Sequence, residues 1–262
     1  MELIFGYDLL AILFVVAFIA GFIDTLAGGG GLIVLPALLS TGMPPVLALG
    51  TMKLQSAGGS FAASLYFIRK KTVCLAQHKW NIFCTFVGSV FGVVTVQFID
   101  AGVLRGMLPI LTIAVGLYFL LSPKVGDVDR QQRIKSTLFG VVAGAPLGFY
   151  DGFFGPGAGS FYALAFVLLL GYALPKATAH AKVLNCTSGL AALAVFIIGG
   201  HIMWSVGFVM MAGQVIGARI AANLVLSKGQ KLIRPVLICV STVMSIKLIY
   251  DSHGDFFLQL FS

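Results

Sequence analysis

The stretch GFIDTLAGGGG, residues 21–31, places an aspartate and four consecutive glycines inside a run otherwise as apolar as a membrane span. LLAILFVVAFIAGF (9–22) leads into it and GLIVLPALL (31–39) leads out. Each glycine in a helix interior costs about 1 kcal/mol relative to alanine. Four in a row therefore predict a break, with backbone N–H and C=O groups left unpaired. Lipid cannot satisfy such groups, so a broken span survives only where protein covers it or where it lines a cavity. The break should face the interior of a helix bundle. It also creates a new helix N-terminus, whose free N–H groups and partial positive charge suit an anion.

The rest of the chain agrees with a membrane setting. Of 262 residues, 59% are hydrophobic and 10% charged, and the mean hydropathy is +1.02. A soluble domain carries about 25% charged residues. Runs such as SFYALAFVLLLGY (160–172) do not alternate as barrel strands do. The predicted fold class is all-α: a polytopic helical membrane protein. Glu2 and Asp8 are the only early charges, so the first apolar segment is read as a retained helix rather than a cleaved signal peptide.

The formal net charge of +8 does not indicate nucleic acid, because eleven of the seventeen Lys and Arg residues fall in three short loops. These are Arg69, Lys70, Lys71 and Lys79; then Lys124, Arg130, Arg133 and Lys135; then Lys228, Lys231 and Arg234. By the positive-inside rule the three loops are cytoplasmic. Both termini are then periplasmic, and Arg105 and Lys247, on the other side, snorkel to an interface. Cys74, Cys84, Cys186 and Cys239 lie far apart in apolar surroundings and suggest neither a metal site nor a disulfide framework.

An internal repeat organises the chain. GFIDTLAGGGG aligns with GFYDGFFGPGA (148–158), pairing Asp24 with Asp151. GMPPVLALGTMK (42–53) aligns with GYALPKATAHAK (171–182), pairing Lys53 with Lys182. VGSVFG (87–92) matches AGQVIG (212–217), and LPIL (108–111) matches RPVL (234–237). The expected organisation is a first repeat over 1–121, a cytoplasmic linker over 122–136 and a second repeat over 137–262, forming one transmembrane domain. The helix after the first break ends in a basic loop and its counterpart ends in the uncharged GGH loop, so the repeats should be inverted, with about eight long and two short helices. The pieces flanking the breaks are expected near 9–26 and 31–41, and near 137–153 and 159–172.

Two lysines deep in helices need a reason, since each costs about 2.5–3.5 kcal/mol near the bilayer centre. Two readings stand: ion pairs with Asp24 and Asp151, the acids at comparable depth, or a cationic floor for an anionic substrate, which the equivalence of the two positions favours. Asp24 and Asp151 are read chiefly as partners for loose N–H groups of the glycine turns, with proton coupling as the alternative. His180, absent from the first half, is a candidate for sensing or moving a proton. Gln55, Asn185, Ser56, Thr187 and Ser188 are candidate neutral donors to an oxyanion. Gly88/Gly92 and Gly213/Gly217 read as close helix packing. GPGAGS (155–160) lacks the GK[ST] ending of a phosphate loop. No Ser-His-Asp grouping, HExxH motif or Cys/His cluster points to an enzyme, and no cofactor is implied.

AGFIDTLAGGGGLIVLPALL, KLQSAGGSFAASLYFIRKK, LGFYDGFFGPGAGSF and ATAHAKVLN together resemble the TauE/SafE family of membrane transporters, the sulfite exporter family, over nearly the whole chain. The resemblance implies a bacterial inner-membrane protein of two repeats that moves small anions such as sulfite or organosulfonates, generally outward. It implies a substrate site around Lys53, Gln55, Lys182 and Asn185 with the glycine breaks, among them Gly29, Gly30 and Gly157. Pro156, Ala158 and His180 break the symmetry of the two halves. An inside-negative potential of 100 mV favours expulsion of a dianion by about 4.6 kcal/mol, so export needs no coupling ion, whereas import would need about three cations. The expected function is therefore secondary transport, with an anion channel as the rival class and a membrane enzyme below it. The expected partners are a small anion and the bilayer; a homo-oligomer is admitted.

Overall fold

A computed structural model describes residues 6–104, 107, 110 and 129–228. Lys124, Lys231, Arg234, Arg105, Lys247, Cys239, residues 122–128 of the linker, both termini and most of the LPIL/RPVL match lie outside the described residues, which are all helix and loop without strand. Helix α1 (Tyr7–Ala27) ends at Gly28 in the left-handed region (φ 76), where the Gly28 N–H closes the last turn onto the Asp24 carbonyl at 2.8 Å. Helix α2 (Gly31–Ser40) restarts after Gly29 and Gly30, and α3 (Pro45–Arg69) follows with proline at its first position, where no N–H is needed. A short 3₁₀ turn at Leu75–His78 opens α4 (Lys79–Gln97).

The second half opens with a helical turn at Ser136–Phe139 and a π-helical stretch at Gly140–Gly144, then α5 (Ala145–Phe153). The wide turn immediately precedes Pro146, whose ring and missing N–H disfavour a regular α turn there. A break at Phe154–Gly157 precedes α6 (Ala158–Leu170), then α7 (Leu174–Ile198) and α8 (Trp204–Lys228). Among the described residues four segments are long and apolar enough to cross a membrane: Tyr7–Ala27, Leu75–Gln97, Leu174–Ile198 and Trp204–Lys228. Helix α3 matches them in length but is diluted by Lys53, Gln55, Ser56, Ser60 and Ser64, all turned away from lipid.

Chain directions follow from which residues touch. Gly213 and Gly217 of α8 pack in rising order against Phe14, Phe18 and Phe22 of α1, so these helices run parallel. Gly88 and Gly92 of α4 pack likewise against Ala145 and Phe149 of α5. Helix α4 thus clasps α5, and α8 clasps α1. The start of α3 lies beside the loop before α8, where Met203 N–H donates to Thr51 Oγ1 at 3.0 Å. Helix α2, which leads into that start, therefore turns back toward the end from which α1 came. At the opposite end, the Arg130 N–H donates to the Gly171 carbonyl at 2.7 Å, so α6 returns to the end where α5 began.

The glycine faces allow these approaches. A methyl group at Gly92 would strike the Phe149 carbonyl, and one at Gly217 the Phe18 carbonyl. Gly92→Ile or Gly217→Ile is expected to lose about 3 kcal/mol or more, a drop in Tm of about 6–12 °C. Phe91→Ala, on a ring exposed toward lipid, should leave Tm nearly unchanged; fluorescence-detected thermal unfolding in detergent checks the contrast.

The buried apolar residues form two clusters rather than one. One gathers Phe67, Phe139, Phe166 and Leu170 at the end bearing the first basic loop, and the other gathers Leu32, Leu35, Phe196 and Met210 toward the opposite end. Asp24, Lys53, Asp151 and Lys182 lie where the two clusters meet.

Candidate functional site

The two breaks meet at this middle layer. A side chain at Gly28 would strike the backbone of Gly159 and Ser160, one at Gly31 would press on Pro156, and Ser160 Oγ donates to the Ala27 carbonyl. Helices α3 and α7 each send a lysine into the break contributed by the other half. Lys53 Nζ donates to Asp151 Oδ1 at 2.7 Å and also to the Asp151 carbonyl. Lys182 Nζ donates to Asp24 Oδ2 at 2.7 Å.

Both pairs are nearly dry. Side-chain exposure is 4% and 5% for Lys53 and Asp151, and 2% and 10% for Lys182 and Asp24. A charge so placed needs its partner, because a lone buried ion is far costlier than a pair. The ion-pair reading of the lysines is thus present in the structure. The carboxylates bond the lysines rather than the glycine-turn amides expected for them, because the turns close on backbone carbonyls instead: Gly28 N–H on Asp24, and Gly155 N–H on Tyr150 at 3.2 Å.

The two acids are held unequally. Asp151 Oδ2 also accepts from Ser188 Oγ, and Ser89 Oγ pins the Ser188 carbonyl at 2.7 Å. Among the described residues, Asp24 accepts one side-chain hydrogen bond, from Lys182.

Beside the pairs is a cavity of about 30 Å³, room for a water molecule or two. Asp24, Lys53 and Asp151 line it, and Gly31, Gly155 and Gly159 supply backbone from both breaks. The helical period decides the remaining wall. Positions three and seven residues beyond each lysine share its face, and these are Ser56 and Ser60 on α3 and Asn185 and Gly189 on α7. Gln55 and His180 sit two residues from a lysine, about 200° around the helix. Gln55 is buried outside the lining with Oε1 unpartnered. His180 faces an aromatic cluster instead, its ring 4.8 Å from that of His78 and its Nδ1 2.8 Å from the Lys176 carbonyl. Gly29, Gly30 and Gly157 shape the turns, Gly157 at φ 81, without lining the cavity. Thr187 bonds the Val183 carbonyl of its own helix at 2.9 Å.

Sequence reasoning missed Ser60, Gly189 and Gln214. The first two were available from the i, i+3, i+7 pattern started at each lysine. Gln214 follows Gly213 as Ser89 follows Gly88 in the aligned motifs, so the repeat itself flagged a polar pair against the broken helices.

Membrane-length helices around a buried, ion-paired polar centre between two broken helices define an integral membrane transport protein. The chain belongs to the sulfite exporter TauE/SafE family, whose profile matches residues 13–248. It is 60% identical over 247 residues to the "Probable membrane transporter protein YfcA" of Escherichia coli (strain K12), covering 94% of this chain and 92% of that protein. It is 56% identical over 246 residues to a "Probable membrane transporter protein" of Haemophilus influenzae, covering 94% and 96%. It is 44% identical over 246 residues to the "Probable membrane transporter protein ORF9" of a Sinorhizobium species, covering 94% of each chain. No solved structure matches the chain.

Proposed function

We propose that the chain is a secondary transporter that exports a small oxyanion, sulfite or an organosulfonate being the chemistry its family name suggests, across the bacterial inner membrane. The observation that carries this reading is the crossed pairing of Lys53 with Asp151 and Lys182 with Asp24 beside a polar cavity at the junction of the two breaks. Inverted repeats with binding at their interface follow this plan. The opposite return of α2 and α6, and the clasp of each broken helix by the other half, support inversion here. Arg69, Lys79, Arg130 and Lys228 gather at one end of the bundle, which supports that end as cytoplasmic.

A carrier fits better than a channel. A channel's selectivity ring stands along a continuous aqueous path, whereas here each ammonium is bonded to a carboxylate and the space beside them, about 30 Å³, is too small for an oxyanion with its first contacts. Opening and closing of the pairs supplies the two states that alternating access needs. The dianion then moves outward with the membrane potential.

Proteoliposome uptake of sulfite, sulfate, thiosulfate and sulfoacetate, with taurine as zwitterionic control, tests the reading. One oxyanion is expected to be carried by the wild type, and Lys53→Ala and Lys182→Ala are each expected to reduce its flux at least about tenfold, the loss of roughly one charge-assisted bond. Undiminished transport in both folded variants would remove the lysines from the site.

A further inference from the structure

Resting on the anion reading above, the inference concerns what enters with the anion. Lys53, Lys182, Asp24 and Asp151 sum to zero charge, and every ammonium is already bonded. An anion that takes a lysine from its carboxylate leaves that carboxylate buried without its counter-charge, which a protein interior does not sustain. A cation must accompany it.

We propose that this cation is one proton per anion, carried on the Asp24 carboxylate. The Asp24 carboxylate takes up H⁺ to become the neutral acid, and the Lys182 ammonium it releases binds the anion. A dianion plus a proton still moves a net charge of −1, so outward movement remains downhill in an inside-negative membrane.

The structure favours Asp24 over Asp151 on three grounds. Asp151 is held on both oxygens, by Lys53 and by Ser188, and its backbone carbonyl binds the same lysine. Among the described residues Asp24 takes a single side-chain hydrogen bond, and it is the more exposed carboxylate, at 10% against 5%. Finally, Gln214 of α8 packs against α1 at Gly21, one turn before Asp24, lines the same cavity, is 1% exposed, and among the described residues has no hydrogen-bond donor to its buried Oε1. A buried acceptor in that state is costly, and the O–H of a protonated Asp24 would be a donor lining the same cavity. The ionisable groups facing Asp24 are Lys182 from α7, with Lys53 from α3 and Asp151 from α5 around the cavity. From α6, Tyr162 is fully buried near Asp151, and α2 has no ionisable side chain.

The test is calorimetric titration of purified full-length protein with thiosulfate, sulfate and methanesulfonate, in sodium-free media buffered by two compounds of different ionisation enthalpy. These anions take up no proton themselves near neutral pH, so protons bound are bound by protein. One proton per anion is expected, with affinity falling about tenfold per pH unit on the alkaline side of the transition. Asp24→Asn is expected to bind the same anion with no proton uptake and no pH dependence.

Binding by the wild type without proton uptake, or only when sodium is added, overturns the proposal and leaves the anion reading standing. Undiminished proton uptake by Asp24→Asn overturns the assignment to Asp24. Failure of all three anions to bind at any pH overturns the anion reading together with the inference. Should Asp24→Asn fail to fold, Asp151→Asn decides the assignment: it is expected to keep the uptake of one proton per anion, and loss of that uptake overturns Asp24 as the carrier.

Discussion

Lys182→Met is expected to lower the thermal midpoint by about 6–20 °C, and Lys182→Met combined with Asp24→Leu to restore most of that loss while transport stays absent. Lys182 is 1% exposed and its ammonium is bonded to Asp24. Removing it leaves a carboxylate buried without its counter-charge, a change worth about 3–5 kcal/mol where such pairs have been broken, and each kcal/mol moves the midpoint by about 2–4 °C in a chain of this size. Replacing both partners by apolar side chains of similar volume removes the uncompensated charge, and such exchanges are often neutral. Transport does not return, since the N–H donors are gone. Single and double variants are compared by thermal unfolding in detergent and by flux in proteoliposomes. A single variant as stable as wild type would mean that Asp24 reaches water or another partner once Lys182 is removed.

How much of this was legible beforehand depends on the kind of signal. The breaks at Gly28–Gly30 and Phe154–Gly157 were readable, because glycine acts through its own backbone and a run of four needs no context. The depth of Lys53 and Lys182 was readable too, since a charge inside an apolar helix stands out alone. Their partners were named as one of two readings, yet the crossing between halves rests on how α3 and α7 pass the breaks, a property of packing rather than of local composition. Gln55 and His180 show the limit most plainly: proximity in sequence made them candidates, and a rotation of about 200° per two residues turns them from the cavity. Ser56, Ser60, Asn185 and Gly189 obey the same period and could have been placed by it. The unequal holding of Asp24 and Asp151 depends on Ser188 standing where the aligned first-half position is Gly59, a difference visible in the sequence whose meaning comes only from the packing that brings Ser188 to Asp151.

Gly28→Ala is expected to eliminate folded protein from the membrane, while Gly189→Ala leaves the fold intact, though both add one methyl to a buried glycine. Gly28 has φ 76, a conformation costing a non-glycine residue about 1–2 kcal/mol, and its methyl would be driven into the Ser160 backbone. That backbone cannot yield, because Ser160 Oγ is bonded to the Ala27 carbonyl and both breaks pack at this point. Strain and overpacking therefore add at the junction of the two halves. Gly189 is helical, and a methyl there meets nothing within 4 Å because it projects into the cavity. A leucine at Gly189 carries the comparison to function: it more than fills a space that holds a water molecule or two, so Gly189→Leu should lose about 1–3 kcal/mol by overpacking, still reach the membrane, and carry little or no anion. Expression followed by size-exclusion chromatography separates the folding outcomes, and flux separates the functional ones. Full transport by Gly189→Leu would show that the substrate passes elsewhere, and a well-folded Gly28→Ala would show that the two breaks can part by the width of a methyl group without loss of the fold.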